Sequence, residues 1–212
     1  MLFIQLLFRS PVAFLVHAVV ILFSVCLHEY FHARAALFFG DDTAARNGHL
    51  SLNPLRQMGI YSLIIFALVG FCWGAVPVNP HALRRNSKWA VPAVSFAGPA
   101  ANLLIFIVSV IWGMILMMLW SRNQEIDSLA VVIQILQIFG SMNLFLFVFN
   151  LLPIPGLDGW NILAEFVPAT GRISSEVVKS VIVILIFLAL AFTNVIMEIS
   201  SQCTMFLFML PL

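Results

Sequence analysis

The stretch PVAFLVHAVVILFSVCLHEYFHARAALFF, from Pro11 to Phe39, is a long apolar run with ionisable side chains near its end. A helix of roughly 20 mostly apolar residues crosses a hydrocarbon core about 30 Å thick, so this run is long enough to span a membrane. In the whole chain of 212 residues, 62% are hydrophobic and 9% are charged, whereas soluble domains carry about 25% charged residues. The sequence therefore predicts an integral membrane protein.

Further apolar segments follow along the chain. They are the stretches Gly59 to Val78, Trp89 to Trp120, Leu129 to Leu152 and Val181 to Met197, and a short tail from Cys203 to Leu212. We predict an all-α membrane protein, a polytopic helical bundle of about five to six membrane segments. No polar segment is long enough for a separate folded domain, so residues 1–212 should form a single membrane-embedded domain. Its core is about 11–165, and the C-terminal helix and apolar tail are 176–212.

Two polar or proline-containing segments interrupt this pattern. In GDDTAARNGHLSLNP, residues 40–54, glycines punctuate the chain and residues 49–52 alternate polar with apolar, which favours a small surface or re-entrant β-hairpin. In AVPVNP, residues 75–80, two prolines forbid a continuous helix. We expect an irregular loop there that lines a cavity.

Charge and cysteine content exclude several classes of protein. The net charge is +1 and the basic residues form no stripe for phosphates, so nucleic acid is not an expected partner. The 3 cysteines have no paired spacing and predict neither a disulfide framework nor a cysteine zinc site. Nothing in the sequence indicates the oligomeric state.

The motif HEYFH, residues 28–32, places ionisable side chains inside the first apolar stretch. Residues four apart lie on one face of a helix, so His28 and His32 can present imidazole nitrogens to one zinc ion. Glu29, the next residue after His28, can reach a water bound to that zinc ion and take its proton as general base. The pattern also arises by chance, but burying such groups in lipid costs roughly 2.5–3.5 kcal/mol each on insertion scales for charged groups. We interpret the motif as a catalytic metal site.

A catalytic zinc site usually has three protein ligands and one open position. Asp158, in FNLLPIPGLDG, is the candidate for the third ligand because it directly follows an apolar helix broken by Pro153 and Pro155. Two alternatives stay open. Asp158 could cap a surface turn, and Glu165 could be the third ligand instead.

Five motifs in chain order resemble the site-2 protease family of intramembrane zinc metalloproteases. They are HEYFH, GDDTAARNGHLSLNP, WGAVPVNP from Trp73 to Pro80, AGPAAN from Ala97 to Asn102, and NLLPIPGLDG from Asn150 to Gly159. The resemblance implies that His28, His32 and Asp158 are zinc ligands and that Glu29 is the catalytic carboxylate. It also implies that Asn150 and Asn102 contact the substrate backbone or the developing oxyanion.

The resemblance implies an enzyme that cleaves membrane-anchored protein substrates in or near their transmembrane segments, in regulated intramembrane proteolysis. We expect a multi-pass protein of the bacterial plasma (inner) membrane, with the active site nearer the cytoplasmic side. Arg84, Arg85 and Lys88 mark the loop that contains them as cytoplasmic. A metal site near the cytoplasmic side requires residues 59–78 to be a re-entrant segment, which enters and leaves the membrane on the same side. Arg9 instead favours a cytoplasmic N-terminus, which requires residues 59–78 to cross the membrane fully. The alternatives are a membrane metal transporter, which would need no Glu29 base, and a catalytically silent relative.

Overall fold

The structure, a computed structural model, describes residues 3–122, 127–167 and 195–210. The chain forms two compact units, Met1–Ala101 and Asn102–Leu212. Every regular element in the described residues is a helix, which confirms the all-α class. The helices are α1 (Phe3–Arg9), α2 (Pro11–Phe38), α3 (Thr43–Arg46), α4 (Pro54–Val69), α5 (Pro80–Asn86), α6 (Ala90–Arg122), α7 (Asp127–Asn150), α8 (Asp158–Phe166) and α9 (Val195–Met209). The single membrane-embedded domain stays a prediction.

Three helices in the described part of the chain, α2, α6 and α7, are long and apolar enough to cross a membrane. The predicted five to six membrane segments are therefore not confirmed. Helices α4 and α9 are apolar but shorter, and most of the predicted segments 181–197 and 176–212 lie outside the described residues. The three long helices agree with an integral membrane protein.

In the first unit, α2 is the central helix. It packs against α1, α3 and α4, and Ala36 near its end joins Leu83, Ala90 and Val94 in a buried cluster. Ala36 and Ala90 are 0% exposed, and such small side chains let helix backbones approach closely. This cluster brings the end of α2 against the beginning of α6.

The hairpin predicted within residues 40–54 is not confirmed, since this segment forms α3 and turns. Asp41 accepts hydrogen bonds from the Thr43 backbone N (3.0 Å) and Oγ1 (2.5 Å), which favours a helical turn at that point. The buried Gln57 side chain donates to the carbonyls of His49 (2.8 Å) and Ser51 (2.5 Å). A side chain thus takes the place that a partner strand would fill.

Helix α4 ends well before Val78, so residues 59–78 do not form one straight spanning helix. The helix begins after Asn53, whose Oδ1 accepts from the Leu55 N at 2.9 Å. It contains a kink at Gly59 (φ 72, ψ 166) and stops at Gly70, which has left-handed backbone (φ 86). Residues 71–79 have no regular secondary structure, as the prolines of AVPVNP predict.

In the second unit, the later part of α6 packs with α7 and α9. Val110, Ile133 and Phe208 form its buried cluster. A Cβ at Gly113 would lie closer than 3.0 Å to the Phe208 ring, so the glycine makes room for that ring. Close packing of this kind is what small residues provide in membrane helices.

Candidate metal centre

The two histidines of HEYFH converge on one side of α2. His28 and His32 are 6% and 8% exposed, and their Nε2 atoms are 3.0 Å apart. The two rings are nearly perpendicular, at 80°, with centroids 4.6 Å apart. The one-turn spacing predicted from the sequence therefore does bring the imidazoles together.

A backbone carbonyl of α6 orients His32. Its Nδ1 lies 2.7 Å from the Val94 carbonyl oxygen, and because a carbonyl can only accept, Nδ1 must carry the hydrogen. The lone pair of the neutral ring then lies on Nε2, the atom that faces His28. An outer hydrogen bond of this kind is what fixes metal-ligating histidines in proteins.

The imidazole pair fits a zinc ion. Zinc binds imidazole nitrogen at about 2.0–2.1 Å, so two such ligands in a tetrahedral site are about 3.3–3.4 Å apart. The observed separation of 3.0 Å is close to that value. No large movement of α2 is needed for both nitrogens to share one ion.

Glu29 is buried beside the imidazole pair, at 7% exposure, and faces the irregular segment 71–79. A Cβ at Gly74 would lie closer than 3.0 Å to Oε1, Cδ and Cγ of Glu29. Only a residue without a side chain therefore allows the chain to pass this close. The carboxylate is held between α2 and the backbone of residue 74.

Three hydrogen-bonded anchors hold the segment 71–79 in place. The Ser62 Oγ donates to the Trp73 carbonyl (2.8 Å) and accepts from its N–H (2.9 Å). The Ala75 N–H donates to the Gln57 carbonyl at 3.1 Å, and the Asn79 N–H donates to the Asp41 Oδ2 at 2.5 Å. Neither Ser62 nor Asp41 is predicted from the sequence, since a serine in an apolar stretch and an aspartate in a turn give no specific signal.

The same contacts set the charge state of Asp41. Burial raises the pKa of this carboxyl, but hydrogen bonds from the Thr43 hydroxyl and from the backbone of Asn79 and Thr43 outweigh it. The pKa of Asp41 therefore lies below its ordinary value. At neutral pH the ionised carboxylate ties the end of α2 to the end of segment 71–79.

Asp158 is the first residue of α8, in the second unit. The preceding Leu157 is extended (φ −104, ψ 163), and a Cβ at Gly159 would lie closer than 3.0 Å to the Leu151 carbonyl. Gly159 thus lets α8 start directly against the backbone that follows α7. A carboxylate in the first turn of a helix is stabilised in its charged form, which is the form that binds metals.

The two asparagines predicted to contact substrate each bond within the second unit. The Asn102 Nδ2 donates to the Asn143 Oδ1 at 2.8 Å, and both residues are 0% exposed. The Asn150 Nδ2 donates to the Leu146 carbonyl one turn back, at 3.0 Å. Asn102 therefore joins α6 to α7, and Asn150 bonds to its own helix. Their contact with substrate stays a prediction.

Comparison with known proteins identifies the family. The model of Peptidase family M50 matches residues 16–121 and 111–193, and the chain belongs to this family of proteases, which is the site-2 protease family. The resemblance inferred from the five motifs is confirmed. No solved structure matches the chain.

Curated relatives agree with this assignment. The chain is 34% identical over 151 residues to "Putative zinc metalloprotease YwhC" of Bacillus subtilis, a match that covers 71% of this chain and 68% of the relative. It is 35% identical over 164 residues to "Putative zinc metalloprotease Rip2" of Mycolicibacterium smegmatis, covering 71% of this chain and 57% of the relative. It is 32% identical over 178 residues to "Putative zinc metalloprotease Rip2" of Mycobacterium tuberculosis strain H37Rv, a match that covers 80% of this chain and 64% of the relative. Zinc, the predicted cofactor, is the metal in these names.

Proposed function

We propose that the protein is an intramembrane zinc metalloprotease that hydrolyses peptide bonds in or near the transmembrane segments of membrane-anchored proteins. The observation that carries this proposal is the buried pair of Nε2 atoms, 3.0 Å apart, next to the buried Glu29. All three side chains lie on α2, a helix long and apolar enough to cross a membrane. Ionisable groups within a membrane-spanning helix mark a functional site by default.

His28, His32 and Asp158 hold one zinc ion in this proposal. Two imidazoles and one carboxylate are a ligand set that catalytic zinc uses, with the fourth position open. When bound, zinc supplies Lewis-acid chemistry and makes water acidic enough to ionise near neutral pH. The rival ligand Glu165 lies on α8 two turns after Asp158, about 10.5 Å further along the axis. The two carboxylates are therefore too far apart to act as interchangeable ligands.

Glu29 acts as the base and then as the acid. Its carboxylate takes a proton from the water whose oxygen bonds to the scissile carbonyl carbon. When the carbon–nitrogen bond breaks, Glu29 gives that proton to the leaving nitrogen, so the carboxylate is regenerated. Contact with Gly74 on one side and with α2 on the other limits the positions that this side chain can take.

The substrate must be extended at the scissile bond, because a helix hides its carbonyl groups behind its own hydrogen bonds. Two segments are candidates to pair with such a substrate, GHLSLNP (residues 48–54) and AVPVNP (residues 75–80). GHLSLNP already gives carbonyls to Gln57, which favours AVPVNP. The backbone groups of residues 73 and 75 bond to α4. In an extended chain, residues 74 and 76 then face the opposite edge, where a substrate strand would pair.

The proposed location is the bacterial plasma membrane, with the lipid bilayer and membrane-anchored substrates as partners and the site nearer the cytoplasm. Arg84 and Arg85, in the last turn of α5, and Lys88 are exposed. Basic loops of this kind stay in the cytoplasm. Labelling a Ser87→Cys variant in cells with a membrane-impermeant thiol reagent tests this side, with cysteines elsewhere replaced. Labelling of intact cells would contradict the proposal.

The test of the proposed function compares the wild type with Glu29→Gln in lipid vesicles that contain a single-span substrate. We expect one zinc ion per chain in both proteins and loss of about 10²–10⁴-fold in cleavage rate for the variant. Wild-type cleavage by Glu29→Gln would contradict the role of Glu29. Zinc uptake into the vesicles without any cleavage would indicate a transporter instead.

A Val76→Pro variant tests the pairing of substrate with AVPVNP, because proline removes one N–H from the outward edge. We expect slower cleavage of a helical substrate with normal zinc content. An unchanged rate would contradict the pairing of substrate with this edge.

A further inference from the structure

Gly98 of α6 lies directly against the two zinc-binding nitrogens. A Cβ at this position would be closer than 3.0 Å to the Nε2 of His28 and to the Nε2 of His32, a distance that real Cβ atoms essentially never show. Any residue with a side chain would therefore push the two nitrogens away from the positions in which they converge. The spacing of residues within the sequence motifs does not predict this contact between α6 and the histidines of α2.

His32 cannot simply move aside. Its ring is tied at the other nitrogen, Nδ1, to the Val94 carbonyl at 2.7 Å, and the residue is 8% exposed. A rotation that clears a methyl group at residue 98 would break this hydrogen bond. The bond and the glycine thus act on opposite sides of the same ring.

Val94 and Gly98 are four residues apart and lie on one face of α6. Proline follows at position 99, inside the helix, and a proline there removes a helix hydrogen bond. Glycine is, after proline, the least favourable residue for a helix interior. Alanine at position 98 would favour the helix itself, so helix formation does not explain why a glycine stands here.

We propose that Gly98 is a positioning residue of the metal centre, because it leaves the space in which the two imidazole nitrogens converge on zinc. Together, Gly98 and the Val94 carbonyl let one face of α6 fix the positions of the His28 and His32 rings. The inference rests on the proposed function, in that the imidazoles are taken as zinc ligands. It assigns to the glycine of AGPAAN a role in metal affinity.

The test uses Gly98→Ala, with Gly113→Ala as the matched control. Both changes are glycine to alanine on the same helix, and both put a Cβ closer than 3.0 Å to side-chain atoms, but Gly113 meets Phe208. Zinc affinity is measured in detergent by competition with a chelator, and the absorption spectrum is recorded with cobalt(II) in place of zinc. We expect Gly98→Ala to bind zinc about 10- to 100-fold more weakly and to change the cobalt spectrum. Gly113→Ala should do neither.

Equal zinc affinity and an unchanged cobalt spectrum for Gly98→Ala would overturn the inference. The proposed function fails separately, if the wild type itself binds no zinc. If Gly98→Ala does not fold, the same change is made in a His28→Ala/His32→Ala chain, where the truncated rings leave room. Restored thermal stability in that background supports the inference. Continued misfolding there overturns it, because the conflict would then lie elsewhere.

Discussion

Removal of the Ser62 hydroxyl should weaken both the fold and catalysis without removing zinc. Ser62 is 1% exposed, and its Oγ makes two hydrogen bonds, of 2.8 and 2.9 Å, to the backbone of Trp73. At about 0.5–1.5 kcal/mol for each bond, Ser62→Ala should lower the free energy of unfolding by about 1–3 kcal/mol. Gly74, the next residue, contacts Glu29, so greater freedom of this segment should also slow cleavage.

Urea unfolding in mixed micelles measures the free energy, and cleavage and zinc content are measured on the same samples. Ser141→Ala is the matched control. Ser141 is also buried, at 7% exposure, but its Oγ donates only to Gln137 of its own helix, at 2.7 Å. Loss of such a local bond should cost about 0.5 kcal/mol or less. Equal effects of the two substitutions would refute the anchoring role of Ser62, and so would a Ser62→Ala chain with wild-type stability and cleavage.

Three further predictions follow from the same unit and from the asparagine pair. Gly74→Ala should reduce cleavage about 10²-fold by displacing the Glu29 carboxylate, with unchanged zinc content by elemental analysis, whereas loss of zinc would contradict a role limited to Glu29. The lowered pKa of Asp41 contributes stability that is fully present above about pH 4 and is lost as the pH falls through that pKa. Thermal unfolding across pH should therefore show Asp41→Asn less stable than the wild type at pH 7, with a difference in stability that shrinks in acid. A difference that stays constant with pH would contradict a stabilising role for the ionised Asp41 carboxylate. Asn102→Ala should lower the free energy of unfolding by about 1–3 kcal/mol, and a double-mutant cycle with Asn143→Ala should be non-additive; additive effects would exclude the pairing.

Local spacing explains why part of the site could be predicted from the sequence. The one-turn separation of His28 and His32 depends only on helix geometry, and the long apolar run of α2 makes the helix certain to form in lipid. The structure has the two Nε2 atoms 3.0 Å apart, as that spacing requires. The irregular backbone of residues 75–79 likewise follows from its prolines.

Contacts between distant residues explain what the sequence did not reveal. The hydrogen bond from His32 to Val94 joins residues 62 apart in the chain, and the contacts of Gly98 and Gly74 with the site depend on the same tertiary packing. The predicted hairpin is not confirmed, for a similar reason. Alternation at residues 49–52 is a local signal, and the buried Gln57 side chain satisfies that backbone instead of a partner strand.

The central claim is that Asp158 completes the zinc site of His28 and His32. The most direct measurement is the zinc content of purified Asp158→Ala and Glu165→Ala, determined by elemental analysis beside the wild type. The proposed ligand set predicts one zinc ion per chain in the wild type and in Glu165→Ala, and little zinc in Asp158→Ala. A full complement of zinc in Asp158→Ala, with loss of zinc in Glu165→Ala, would contradict it.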